Sequence, residues 1–231
     1  MYYEGGMTLG QMRQELARYL GLDSTTSDGL IAFWDAQLIN DALRMVEVEL
    51  NVPRLWVLVS KDDLETDPEV NLTDGDSVLQ VVAAPDYILP LVSEEDWAPS
   101  ERIRPLVARY GYGAIVKSNP LKVLLVKPDS HEWPENVRIV YRPKHTPLVN
   151  ETDEPWGGAY SRYHSLISLR AARQALANLD PSEAETQIRL QNVIAEYNAL
   201  KERFTEELDS GITLTNNPFG VSVYYRRARW T

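Results

Sequence analysis

At 231 residues, with 44% hydrophobic and 25% charged residues, the chain is long enough to bury its own core and has the composition of an ordinary globular protein. It has no cysteine, which removes disulfides and thiolate chemistry, and no apolar run of the roughly 18 residues a membrane-spanning helix needs. A net charge of −11 argues against tight nucleic-acid binding, because Lys and Arg neutralising phosphates supply most of that affinity.

The charge is segregated along the chain. Residues 1–100 sum to −14, residues 101–148 to +5, residues 149–211 to −5 and residues 212–231 to +3. Opposed patches on one chain suit ordered contacts between copies or with a charged partner. The opening residues, MYYEGGMTLGQM, have no basic segment followed by an apolar block, so no secretory signal is expected there.

Residues 8–20 place Leu9, Met12, Leu16, Tyr19 and Leu20 on one side of a short helix, with Thr8 as its N-cap and Gly21 as its stop. A longer helix is expected over 30–50, where Ile31, Trp34, Leu38, Ile39, Ala42, Met45, Val46 and Leu50 recur at helical spacing until Pro53 forbids continuation. The pattern then changes to short runs rich in Val, Leu, Ile and Tyr, broken by Gly, Pro and Asn. These predict antiparallel strands at 55–60, 69–72, 77–83, 87–92, 121–126 and 137–142, with a hairpin turn at Asp74-Gly75. Residues 101–110 fit a short helix interrupted at Pro105. The loop PDSHEWP either exposes His131 and Trp133 or tucks Trp133 against the sheet.

Two further helices are expected over 159–179 and 182–209. The first carries Tyr163, Leu166, Ile167, Leu169, Leu176 and Leu179 together with small alanines at 171, 172, 175 and 177, which allow close helix approach. The second has an apolar stripe of Leu190, Val193, Ile194, Tyr197, Leu200, Phe204 and Leu208 against a face carrying Glu183, Glu185, Glu196, Glu202 and Glu206. Asp180 and Pro181 suit its N-terminus. The fold class is therefore α+β: a helical bundle of about four helices with an antiparallel β insertion over 55–148. Residues 1–211 are read as one domain, followed by an extended C-terminal tail over 212–231.

Catalytic parts are sparse. His131, His145 and His164 match no metal-ligand spacing, and no nucleophile elbow, dinucleotide fingerprint or phosphate loop occurs. His164, opening an apolar helix, reads as a packed or capping residue. Residues 71–76 resemble a calcium loop only faintly, lacking its alternating carboxylates and terminal Glu. No catalysis, metal or cofactor is expected. The alternative function is a small hydrolase or ligand-binding protein using a cleft between sheet and helices, lined by Trp97, Tyr110, Tyr112 and Trp133. The tail is rich in Tyr, Trp and Arg, the types that dominate interface hot spots, so it either folds back onto its own domain or docks on another chain.

The order of elements carries a resemblance. Leu125-Val126-Lys127-Pro128 ends a strand, Val137–Tyr141 forms another, Asp153-Glu154-Pro155 follows, and Tyr163-His164-Ser165-Leu166-Ile167 opens an alanine-rich helix. Over residues 8–209 this pattern resembles the head–tail connector, or adaptor, proteins of tailed bacteriophages. The resemblance implies a structural virion protein of the capsid–tail neck, made in the host cytoplasm and without membrane contact. About a dozen copies would form a ring beneath the portal, hold a downstream tail or nozzle protein, and let DNA pass without specific binding. It also implies that the tail reaches into the portal, with Phe219, Tyr224, Tyr225, Arg226, Arg227 and Trp230 as anchors. Trp156-Gly157-Gly158 and the long 60–100 region depart from the simplest version of the pattern, which bears on the tail-side surface.

Overall fold

A computed structural model describes residues 6–22, 29–83, 87–94, 111–178 and 184–209. Within it the chain divides into two compact units, one from residues 1–53 and 145–231 and the other from residues 54–144.

The first unit is helical. Helix α1 (Leu9–Leu20) starts at a capping box: Thr8 Oγ1 accepts from the Gln11 amide at 3.3 Å, and Gln11 Oε1 accepts from the Thr8 amide at 2.9 Å. It stops at Gly21, whose φ of +70° is open to glycine at no steric cost. Helix α2 (Gly29–Leu50) ends at Asn51 and Pro53, as the proline requires.

The third and fourth helices of the sequence reading differ at their ends. Residues Gly158–Tyr163 form a 3-10 turn, and the α-helix begins only at Ser165; two glycines just before the apolar run disfavour α-helix there. The long C-terminal helix is described from Ala184 to Asp209, so the expected capping by Asp180 and Pro181 lies outside the described residues.

A six-residue helix, Lys61–Thr66, belongs to the second unit and was not expected; it is α3, followed by α4 (Ser165–Ala177) and α5 (Ala184–Asp209). In the first unit α4 is the hub. Leu166, Ile167, Leu169, Ala171, Ala172, Ala175 and Leu176 are all buried, because α1, α2 and α5 each pack against it. Small side chains permit that approach. The shared core adds Leu9, Met12 and Leu16 from α1, Ile39, Leu43 and Val46 from α2, and Val193, Tyr197, Leu200 and Phe204 from α5.

The second unit is two four-stranded sheets around one core. One has the order β1-β8-β3-β4, from Leu55–Ser60, Asn136–Pro143, Gly75–Ala83 and Tyr87–Ile88. The other has the order β2-β7-β6-β5, from Glu69–Asn71, Leu121–Val126, Gly113–Ser118 and Leu91–Ser93; every pairing is antiparallel except β5 with β6. In β7, Leu121, Val123 and Leu125 are buried while the residues between them are not, the period-two signature of a sheet with one covered face. They meet Val81 and Ala83 of β3 and Val137 and Ile139 of β8 in a common core.

Three expectations change here. The 87–92 run is split, Tyr87–Ile88 joining one sheet and Leu91–Ser93 the other. Asp74-Gly75 makes no hairpin: the Gly75 amide donates to Leu72 O at 2.8 Å in a turn that carries the chain from β2 in one sheet to β3 in the other. A Cβ on Gly75 would lie 2.6 Å from Leu121 Cδ2 and 3.1 Å from Leu72 O, so a larger residue there would have to displace the Leu121 side chain. Strand β6 was not expected, because its apolar run is only Ala114-Ile115-Val116; it pairs with β7 through Asn119-Pro120. The 101–110 segment lies outside the described residues.

Candidate functional site

Among the described residues, no group of three or more His, Asp or Glu side chains gathers as a metal site would require. The three histidines occupy unrelated settings. His164 is fully buried: its Nδ1 accepts from the Met7 amide at 2.8 Å and its Nε2 donates to Trp156 O at 2.7 Å. Burial holds its pKa below the ordinary histidine value, outweighing the backbone hydrogen bonds and the nearby Glu154 carboxylate. Both ring nitrogens are committed, so His164 is packed, and its side chain does not cap α4.

His145 Nδ1 lies 2.7 Å from Glu47 Oε2, and the Trp156 indole N–H donates to Glu47 Oε1 at 3.2 Å. A carboxylate within the apolar phase of α2 thus gathers the segment after residue 144 and the turn before α4 onto one helix. Asn40 does the same two turns earlier, pairing both its amide atoms with the backbone of Leu148. His131 sits on an exposed turn, its Nδ1 3.1 Å from Ser130 Oγ and its ring edge-on to Tyr112. Of the four aromatic residues proposed to line a cleft, Tyr112 and Trp133 stack on each other with centroids 6.5 Å apart, while Trp97 and Tyr110 lie outside the described residues. Trp133 also packs against the sheet core, and Tyr112 donates its hydroxyl to Glu132 O at 2.6 Å.

Among the described residues, three of the arrangements of charged side chains can act on partners or hold surfaces in place. Glu49 at the end of α2 meets Lys201 and the Tyr197 hydroxyl on α5, with Arg170 of α4 at 4.0 Å. Burial opposes ionisation of Glu49, but the hydrogen bonds from Lys201 and Tyr197 outweigh it and hold the carboxyl below its usual range. On the sheet unit Glu69 bridges Lys117 and Lys122 at 2.7 Å each, and those bonds push its pKa down to about 2. The third arrangement is an open cavity of about 390 Å³ between α1, α4 and α5, where Glu15, Arg18, Glu196 and Arg203 meet. Burial raises the Glu15 carboxyl above its ordinary pKa.

None of these arrangements was singled out from the sequence, which named only Glu196 among their acids, as part of the charged face of the last helix. A signal existed for two of them: Glu15 and Glu47 fall in or beside the apolar phase of their helices, next to Leu16 and Val46. Glu49 and Glu69 gave no such signal, since their partners are distant in sequence. The six residues proposed as anchors, Phe219, Tyr224, Tyr225, Arg226, Arg227 and Trp230, lie outside the described residues.

A protein-family model described as SU10 adaptor protein matches residues 7–218. The match takes in residues of both compact units and ends one residue before Phe219. A comparison with curated proteins finds no match.

Proposed function

The chain belongs to the SU10 adaptor protein family, a head–tail adaptor family of bacteriophages and so a structural component of the virion, and from that premise we propose that its copies form a closed ring joining the capsid portal to the tail. The match over residues 7–218 carries this reading. The central opening passes the genome, and about a dozen subunits complete the circle.

The sequence supports the ring physically. A cyclic contact is heterologous, one patch meeting a different patch on the next copy, and a chain running −14, +5, −5 and +3 along its length supplies unlike patches. Acidic helix faces suit a passage that must not retain DNA, because like charges oppose sticking. Residues 212–231 serve as the arm that docks on the portal, with Phe219, Tyr224, Tyr225, Arg226, Arg227 and Trp230 as its anchors. A downstream tail or nozzle protein binds the opposite side of the ring, and the chain is made in the host cytoplasm before it joins the neck.

The test is electron microscopy of the purified chain with and without the portal of the same phage, alongside a variant ending at Gly211. The full chain is expected to give rings on the portal. The shortened one is expected to keep its helical circular dichroism and lose portal association. Undiminished association by the shortened chain would refute the docking arm, and a chain that stays monomeric on its portal would refute the ring.

A further inference from the structure

Among the described residues the two sheets of the second unit have four edge strands, and three of them are blunted. Strands β2, β4 and β5 run for only two or three residues, with Pro68 directly before β2 and Pro90 directly before β5 and two positions after β4. Short strands and proline keep an edge from pairing further. Strand β1 has neither protection. Its six residues, Leu55-Trp56-Val57-Leu58-Val59-Ser60, include no proline, glycine or charge, and they hold an unbroken register with β8. Among the described residues no other strand pairs with β1.

Hydrogen-bond parity fixes what the free side of β1 offers. The Lys61 amide donates to Glu135 O at 2.9 Å, one step beyond the pairing of Ser60 with Asn136. Bonded positions alternate in an antiparallel pair, so Leu55, Val57 and Val59 direct their backbone groups to β8 while Trp56 and Leu58 turn theirs the other way. Side chains alternate as well. Val57 and Val59 belong to the sheet core, whereas Trp56 and Leu58 lie on the opposite face, Leu58 being 53% exposed.

We propose that β1 pairs with β1 of a second copy of this chain, antiparallel about a two-fold axis at Val57. In that register Trp56 of each copy faces Leu58 of the other, so the outward amides and carbonyls of both strands are bonded and each exposed leucine is covered by an indole. Equal length, lack of charge and matching parity select this occupant, while the other described edges are too short and proline-bound to serve it. Two six-residue strands make a small contact beside the roughly 1,200–2,000 Å² of stable interfaces, so the dimer is reversible. A two-fold contact closes on two copies and does not repeat around a cyclic ring; the pair is therefore a form of the free chain and does not rest on the ring reading.

Analytical ultracentrifugation of the full chain tests this, at about 0.15 M salt to screen the net charge of −11 on each copy. The mass is expected to rise from one chain towards two as concentration approaches about 100 μM. Leu58→Glu, whose carboxylate suits the neighbouring Arg138 of β8, is expected to weaken the dimer about ten-fold or more by setting a charge against Trp56 of the other copy. Because the chain has no cysteine, Val57→Cys puts one thiol per copy at the axis, where paired Cα atoms lie about 4.5 Å apart, and oxidation is expected to link two chains. Leu55→Cys separates the two thiols by about 13 Å along the strands and is expected not to link them. A chain that stays single at that concentration, a dimer indifferent to Leu58→Glu, or equal linking at positions 55 and 57 would each overturn the pairing. Leu58→Glu chains are expected to form rings on the portal as the unaltered chain does; rings lost together with the dimer would assign β1 to the ring contact and overturn the two-fold pair. Dimers from a chain that forms no ring on its portal would support the pair and refute the ring reading alone.

Discussion

Replacing His164 with leucine tests how the first unit holds its irregular turns in place. The imidazole accepts the Met7 amide and donates to Trp156 O, both in the buried interior. Leucine fills similar space but leaves that N–H and that carbonyl without partners. Each orphaned buried group costs about 1–3 kcal/mol, so H164L, which orphans two, is expected to lose about 2–6 kcal/mol, a large share of the roughly 5–15 kcal/mol that holds a domain folded. The variant should also change the response to acid.

In the native fold, burial depresses the His164 pKa below its ordinary 6.5, so the folded ring stays neutral where the unfolded one takes a proton. Stability from this group is therefore complete above about pH 6.5 and declines as pH falls towards the folded pKa, by at most about 1.4 kcal/mol per pH unit. Urea denaturation at pH 7.5 and 5.5, followed by helical circular dichroism, measures both effects. The leucine variant should be less stable at pH 7.5, and the gap should narrow at pH 5.5 because the variant has no imidazole to protonate. Equal stability at pH 7.5, or an acid response identical in the two proteins, would refute the assigned hydrogen bonds.

Two other perturbations probe separate parts of the molecule. Phe204 is fully buried on α5, its ring 4.2 Å from that of Tyr163 and 6.2 Å from that of Tyr160; Phe204→Ala is expected to cost about 3–5 kcal/mol, read from the urea midpoint, and a loss below about 1 kcal/mol would mean α5 does not dock there. On the sheet unit, the Glu69 carboxyl should titrate at about 2 by NMR and return towards 4.5 in a Lys117→Met, Lys122→Met double variant; whatever this bridge contributes to stability is present above about pH 4.5 and lost as pH falls towards 2, and an unchanged titration would remove the bridge from the account.

The caps of α1 could be read from sequence because a capping box and a left-handed glycine act within one helical turn: Thr8, Gln11 and Gly21 need no partner from elsewhere. The stripe on α5 and the alternation in β7 were legible for the same reason, since periodicity is a local property of the chain. Local information also set the broad α+β reading and, through the order of its elements, the likeness to phage adaptors that the family match supports. Strand β6 escaped because three apolar residues are too few to carry a period, and only pairing with β5 and β7 makes them a strand.

Tertiary structure alone decided the rest. Whether Asp74-Gly75 closes a hairpin or crosses between sheets depends on which strand Glu69–Asn71 finds, and it finds β7, about fifty residues away. Glu47, Glu49 and Glu69 become anchors through distant partners, among them His145, Lys201 and Lys117, brought together across 98, 152 and 48 positions. Hydrophobic spacing is written into a helix or strand by neighbours a few residues apart, whereas the environment of a charge is set by whatever the fold carries beside it.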